Sequence, residues 1–200
     1  SSMERKKEGT PALWIGVDFG AKTRASTALT SSRGDQISAV LCPLKGDVDA
    51  WLYAHIKKSR AAYVFLDAPL SLPRIYFDPA DLHSSHHFRQ VARDLGAMSP
   101  LFLGGLTARA IALKASLEKI GVACYETYPA ATLKKRFPRQ SVDEALSYIE
   151  RDTKRSITDL QRLNSHEKDS ILAWYAGYCY FFREPLVFGR KEDGMIIVRT

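Results

Sequence analysis

Short apolar blocks separated by polar turns dominate the first part of the chain. The run that starts at Ala12 is apolar and β-favouring, closes on Gly20, and predicts a buried strand that ends near Asp18. Two further β-like runs, 24–30 and 36–42, flank a Ser, Gly and Asp turn at 31–35, as is typical of an antiparallel hairpin. The chain is therefore predicted to open with a three-stranded meander.

Helical and extended patterns then alternate. Apolar residues at helical spacing predict helices over 47–59, with Asp47 as N-cap, and over 100–120 and 164–183. Compact apolar runs predict strands at 63–66, 122–126 and 195–198, the last as an edge strand.

The remaining segments are predicted to lie outside the centre of the fold. Residues 70–95 combine a proline-rich loop with a helix, which predicts a helical insertion. Residues 130–163 are charged and helix-prone, which predicts two or three short outer helices. The pattern as a whole indicates an α/β fold.

Length and composition restrict the class of protein. The chain has 200 residues, of which 46% are hydrophobic, so it is predicted to fold as one domain over residues 12–200 and not as a disordered tail. Residues 1–11 are polar, and Ser1-Ser2 ahead of Met3 is typical of a cloning remnant, so this segment is predicted to be disordered. The longest apolar run, 171–182, is shorter than the roughly 18 residues of a membrane span.

Cysteine usage and charge add two expectations. Cys42, Cys124 and Cys179 are widely spaced and odd in number, which argues against a disulfide framework and a cysteine zinc site and favours a cytoplasmic location. The net charge of +7 is compatible with a polyanionic partner such as nucleic acid.

Four acidic residues stand at comparable places in the predicted elements. Asp18, Asp67 and Glu126 lie at the ends of predicted strands. Asp169 lies in the first two turns of the last predicted helix. Adjacent strand ends are about 5 Å apart, and ligands of open α/β sheets bind outside the carboxyl ends of the strands. We therefore expect the three strand-end acids to line one cleft, which Asp169 reaches from the side.

Clustered carboxylates imply bound cations, because they repel one another and each is costly to bury. Oxygen ligands without histidine or thiolate favour hard ions, so we expect two Mg²⁺ or Mn²⁺ ions. Two ions about 3.5–4 Å apart hold an attacking water and a leaving oxygen for in-line displacement at phosphorus. The predicted reaction is therefore phosphodiester hydrolysis.

Each acid also has a structural interpretation. Asp18 fits a tight turn, Asp67 fits an acceptor of backbone N–H groups, and Asp169 fits a solvated helix residue. Glu126 equally fits a carboxylate that orients a basic residue. The occurrence of all four at compatible positions favours the shared site.

Several motifs occur in a recognisable order along the chain. They are Gly16-Val-Asp-Phe-Gly20, Leu66-Asp-Ala-Pro-Leu-Ser71, Arg93-Asp94, Ser99-Pro100, Glu126-Thr-Tyr-Pro-Ala-Ala131 and His166-Glu-Lys-Asp-Ser170. Together with the order of elements, they resemble the domain-of-unknown-function 429 family (DUF429) over about residues 13–198. The pairing of the Asp-Ala-Pro and Glu-Thr-Tyr-Pro motifs carries most of the resemblance.

The resemblance implies a nuclease with a ribonuclease H-like fold. That fold has a mixed five-stranded sheet that begins with three antiparallel strands and carries helices on both faces. By motif position, the metal-binding acids are Asp18, Asp67 and Asp169, with Glu126 as a candidate fourth ligand and catalytic acid.

Basic side chains near the predicted cleft are candidates for substrate binding, because guanidinium and ammonium groups bind phosphate oxygens. The arginines equally fit a solvated face or a salt bridge, and the residues beside Asp169 equally fit a helix cap. The candidates are Lys22, Arg74, Arg89, Arg93, His166 and Lys168.

Three functions compete on this sequence. The leading one is a Mg²⁺-dependent nuclease that acts on nucleic acid and does not engage membranes. The second is a nucleotide-binding or phosphotransfer protein of the actin and sugar-kinase type, whose first hairpin also begins with an Asp-x-Gly turn around phosphates; such proteins need two lobes, and this chain is predicted to form one. The third is a non-catalytic binding module with the same fold.

Overall fold

The structure is a computed structural model that describes residues 13–22, 24–72, 104–129, 131, 133, 137–183, 186–188 and 196–198. The predicted disordered segment 1–11 lies outside the described residues. So does the predicted insertion from residue 73 onward, with Arg74, Arg89 and Arg93.

Five strands form the centre of one mixed sheet. Strands β1 (Trp14–Asp18), β2 (Ala28–Arg33) and β3 (Gln36–Leu41) are antiparallel neighbours. Strands β4 (Tyr63–Asp67) and β5 (Ala123–Thr127) continue the sheet on the other side of β1, parallel to it. The predicted α/β class and the initial antiparallel meander are confirmed.

The sheet is wider than the five strands predicted. Strand β6 (Ser156–Ile157) pairs with β3, and β8 (Ile196–Val198) pairs with β5. Strand β7 (Leu186–Phe188) pairs with the outer side of β8 in antiparallel orientation. The strand order is therefore β6-β3-β2-β1-β4-β5-β8-β7. The predicted strand at 195–198 is present as β8, but it is not an edge strand, because β7 pairs with its outer side.

The first hairpin also differs from its predicted boundaries. Strand β2 continues through the residues assigned to a turn and ends at Arg33, so that only Gly34 and Asp35 separate it from β3. Gly34 has φ +59°, a left-handed conformation that glycine adopts without steric cost. Cross-strand backbone pairing therefore extends further than the apolar pattern of β2 indicated.

Four α-helices pack on this sheet within the described part of the chain. Asp47 caps the first of them as predicted, accepting hydrogen bonds from the backbone N–H groups of Asp49 and Ala50. The helices are α1 (Val48–Ser59), α2 (Gly105–Glu118), α3 (Val142–Thr153) and α4 (Ser165–Phe182).

The helices cover both faces of the sheet, as predicted. Val17 of β1 belongs to a core that includes Leu52 of α1 and Leu113 of α2. Trp14, which points to the opposite face, packs with Trp174 of α4. Because side chains alternate along a strand, each face of β1 has its own apolar core.

Candidate active site

Asp18 and Asp67 lie side by side at the carboxyl ends of two parallel strands. They are register partners in the β1–β4 pair. Trp14 and Phe65, which precede them by even numbers of residues, both belong to the core against α4. The alternation of side chains therefore places both acids on the face that α4 covers.

Helix α4 approaches this face closely enough to bring Asp169 into the same region. A Cβ atom added to Gly16 would lie 2.1 Å from the backbone nitrogen of Trp174, so the helix rests directly on β1. The buried hydroxyl of Ser170 forms a 2.7 Å hydrogen bond with that of Thr30 on β2. Asp169, the residue before Ser170, is thereby fixed near the ends of the strands.

The electrostatics show that these carboxylates act as one cluster. Burial raises the pKa of Asp18 to about 6; the hydrogen bond with His166 lowers it and the charge of Asp169 raises it. The pKa of Asp67 lies well above its usual value, first because of burial and then because of the negative charges of the other three acids. Burial likewise raises the pKa of Asp169. Negative charge in this cluster is therefore unfavourable without a cation.

His166 lies against the cluster from the first turn of α4. Its Nδ1 atom is 3.0 Å from Oδ2 of Asp18, and its side chain is 41% exposed. Asn164 caps this turn and forms a reciprocal capping box with Glu167. The predicted substrate-binding residue His166 is thus placed to orient Asp18 while still reaching solvent.

Glu126 is close to the cluster but points to the other face of the sheet. Its register partner is Leu66, which belongs to the core against α1 and α2. The carboxylate Oε1 accepts a 2.7 Å hydrogen bond from the backbone N–H of Leu70. Glu126 therefore anchors the backbone segment that follows Asp67. The alternative role of orienting a basic residue stays a prediction.

The two predicted lysines form ion pairs with other elements. Lys22 Nζ lies 3.5 Å from Asp47 Oδ2, at the start of α1. Lys168 Nζ lies 2.7 Å from Asp143 Oδ1, in the first turn of α3. Lys22 stays near the carboxyl end of β1, whereas Lys168 is directed toward α3.

The turn after β1 is stabilised by the hydroxyl groups of Ser26 and Thr27, which lie just before β2. The backbone N–H of Gly20 donates to Thr27 Oγ1 at 2.9 Å, and that of Ala21 donates to Ser26 Oγ at 3.0 Å. These two amides are therefore engaged within the turn. Gly20 also packs so tightly on the backbone of Ser26 that a Cβ atom would lie 2.3 Å from its carbonyl oxygen.

Arg109 of α2 braces the same turn and was missed by sequence analysis. Its Nη1 donates to the carbonyl oxygen of Gly20 at 3.0 Å, and its Nε and Nη2 bind the carboxylate of Asp49. The guanidinium also lies over the ring of Phe19, 4.7 Å from its centroid. No motif marks Arg109, because the contact joins residues 89 positions apart.

The described side chains do not have the arrangement of a complete metal-binding site. Among the described residues, no group of three or more His, Cys, Asp and Glu side chains has the arrangement of a metal site.

No helix in the described ranges is long and apolar enough to cross a membrane. No family model, curated protein sequence or solved structure matches this chain.

Proposed function

We propose that this chain is a Mg²⁺-dependent nuclease with a ribonuclease H-like fold, related to the DUF429 family. The single observation that carries the proposal is the pairing of Asp18 with Asp67 at the ends of parallel strands, under a helix that brings Asp169 to them. Acids with purely structural roles gain nothing from lying close together, because their negative charges repel one another and destabilise the fold. A site that binds a cation accounts for this arrangement, because the cation neutralises the clustered carboxylates.

The chemistry of the donors fits a hard divalent cation. Asp18, Asp67 and Asp169 offer carboxylate oxygens, which Mg²⁺ and Mn²⁺ prefer. Their raised pKa values mean that a cation stabilises the charged forms that burial disfavours. When bound, such ions supply Lewis-acid stabilisation of the charge that develops on a phosphate during in-line displacement.

The surrounding residues orient the acids. His166 binds Oδ2 of Asp18 and limits its rotation, while Arg109 fixes Gly20, two residues further along. Glu126 anchors the backbone after Asp67. These contacts hold the two strand ends that carry Asp18 and Asp67.

One observation argues against the actin and sugar-kinase alternative. In that mechanism, backbone N–H groups of the first turn donate to nucleotide phosphates. Here the amides of Gly20 and Ala21 already donate to hydroxyl groups of the chain itself. Calorimetric titration with ATP and Mg²⁺ tests this alternative, and we expect no heat of specific binding.

The first prediction tests the proposed activity. We expect the protein to cleave labelled DNA or RNA in the presence of Mg²⁺ or Mn²⁺ and not in EDTA. Asp18→Asn and Asp67→Asn each remove a carboxylate oxygen that holds the cation, so we expect cleavage to fall about 100-fold or more. Single-stranded, duplex and junction substrates are compared by gel electrophoresis.

Asp35→Asn is the matched control. Asp35 lies in the turn between β2 and β3, so the same chemical change there should leave cleavage unaltered. Full activity of Asp18→Asn would show that the cleavage comes from elsewhere and end the proposal. Binding of Mn²⁺ without cleavage of any substrate would favour the non-catalytic binding module.

A further inference from the structure

Two loops lie beside the candidate active site and form what we call the basic rim: residues 21–22 and 24–26 after β1, and residues 43–47 before α1. The ion pair between Lys22 and Asp47 joins them, and the backbone N–H of Cys42 donates to the carbonyl oxygen of Thr27 at 2.8 Å. Lys22 follows Asp18 by four residues, so their Cα atoms are at most about 14 Å apart.

The basic rim carries an excess of accessible positive charge. Lys22, Arg24 and Lys45 are exposed, and neither Arg24 nor Lys45 makes an ion pair with any described residue. The one acid among the described rim residues, Asp47, already accepts two backbone hydrogen bonds at the start of α1. The rim therefore presents cations that its own residues do not neutralise.

An exposed leucine stands among these cations. Leu44 is 75% exposed, whereas the other exposed large apolar residues in the described ranges are Val40 at 41%, Ile120 at 39% and Phe182 at 41%. Leu44 therefore packs on little of its own protein. Leu44 directly precedes Lys45 in the loop that the Lys22–Asp47 ion pair joins to the turn after β1, so its apolar surface lies among the rim's charges.

We propose that the basic rim binds a single-stranded segment of nucleic acid, with its cations on phosphates and Leu44 against the face of an unpaired base. The inference rests on the nuclease function proposed above and names the form of substrate. A leucine side chain has no hydrogen-bonding group, so it gains contact only from apolar surface such as a base face. In a regular duplex those faces are stacked and a side chain reaches them only at the cost of unstacking, whereas unpaired bases carry no such cost, which favours a substrate with unpaired bases.

The test measures binding separately from cleavage. Fluorescence anisotropy in EDTA follows a labelled oligonucleotide of about 20 nucleotides, single-stranded or as a duplex, over a series of salt concentrations. For Lys45→Glu we expect affinity to fall about tenfold and the slope of log K against log salt to decrease by about one. For Leu44→Ser we expect single-strand affinity to fall about fivefold or more, with an unchanged salt slope and unchanged duplex affinity.

Each variant has a matched control on another part of the surface. Arg33→Glu changes the net charge by the same amount as Lys45→Glu but lies at the opposite end of β2 from the rim. Ile120→Ser removes an exposed apolar side chain beyond the end of α2. We expect both controls to bind like the unaltered protein after correction for net charge, and thermal melting confirms that all variants are folded.

The outcomes separate this inference from the proposed activity. Equal effects of rim and control variants, with metal-dependent cleavage present, overturn the inference alone. Weaker binding by the rim variants, with no cleavage in any metal, supports the rim and removes the nuclease function. Absence of binding to any single strand overturns the inference, and self-association lost in Leu44→Ser would instead assign the rim to contacts between copies of this chain.

Discussion

At the scale of single residues, Gly16 determines how closely α4 approaches the acids. A Cβ atom there would lie 2.1 Å from the nitrogen of Trp174 and 2.6 Å from the carbonyl oxygen of Ser170. Both are backbone atoms and cannot rotate away, so we expect Gly16→Ala to reduce the free energy of unfolding by about 2 kcal/mol or more. Thermal melting should show this as a decrease in Tm of about 4–8 °C.

Gly105→Ala is the control for this prediction. Gly105 is the first residue of α2, and a Cβ atom added to it meets nothing within 4 Å. Because alanine favours helix more than glycine does, we expect an unchanged or slightly higher Tm. Equal melting of Gly16→Ala and the unaltered protein would mean that α4 does not lie this close to β1.

The residue scale also shows what the sequence reveals about the site. The positions of Asp18 and Asp67 follow from two readable strands that both end in an acid. The orientation of Glu126 does not follow, because it depends on the register of β5 against β4, which pairs Glu126 with Leu66 and not with Asp67. A shift of one residue in register turns a side chain to the opposite face, and apolar patterns fix strand ends less precisely than that.

At the scale of elements, the first turn of α4 connects helix capping to the candidate site. The side chain of Asn164 accepts from the backbone N–H of Glu167, and the side chain of Glu167 accepts from that of Asn164. We expect Asn164→Ala to fray this turn and cost about 1 kcal/mol, which corresponds to a Tm decrease of about 2–4 °C. Because His166 lies in the frayed turn, more Mg²⁺ should be needed for half-maximal cleavage.

Asn164→Asp separates capping from other effects of the substitution. An aspartate accepts the same backbone hydrogen bond, so we expect this variant to restore both Tm and the Mg²⁺ requirement. Thermal melting and cleavage titrations on the same preparations provide the comparison. A normal Mg²⁺ requirement in a destabilised Asn164→Ala variant would separate the first turn of α4 from the site.

Long elements were predictable from the sequence, whereas the edges of the sheet were not. Helices α1 and α4 carry N-cap residues and long apolar patterns, and both were located correctly. Strands β6 and β7 have two and three residues, too few for a periodic pattern. Such short strands form because a neighbouring strand offers backbone N–H and C=O groups that need partners. The sequence alone does not show which strand will be that neighbour.

At the scale of the whole molecule, burial of two apolar cores offsets the unfavourable clustering of three carboxylates. The cores on the two faces fix β1, β4 and α4, and these elements bring three partly buried carboxylates into one region. The raised pKa values mean that the folded protein binds protons more tightly than the unfolded chain does. Stability therefore depends on what neutralises the cluster: protons at low pH or cations above it.

The last prediction follows from the sign of these shifts. The pKa of Asp18 rises from 3.8 to about 6 on folding, so between those values the folded state holds a proton that the unfolded state has released. The contribution of this group to stability is most favourable below its unfolded pKa and declines as pH rises through the folded value. Above the folded pKa, divalent cations should restore the lost stability by binding the ionised carboxylate. Below it the carboxyl is protonated, so cations should have little effect.

Thermal melting as a function of pH and Mg²⁺ tests this linkage. At about ten times its dissociation constant, we expect Mg²⁺ to raise Tm by about 3–6 °C near pH 7.5 and hardly at all below about pH 5. Asp18→Asn removes one repelling charge and keeps an oxygen for the hydrogen bond with His166. In EDTA near neutral pH, this variant should therefore melt at or above the temperature of the unaltered protein while losing most of the Mg²⁺ response. A lower Tm for Asp18→Asn, together with an undiminished Mg²⁺ effect, would mean that the charge of Asp18 stabilises the fold and that the cation binds elsewhere.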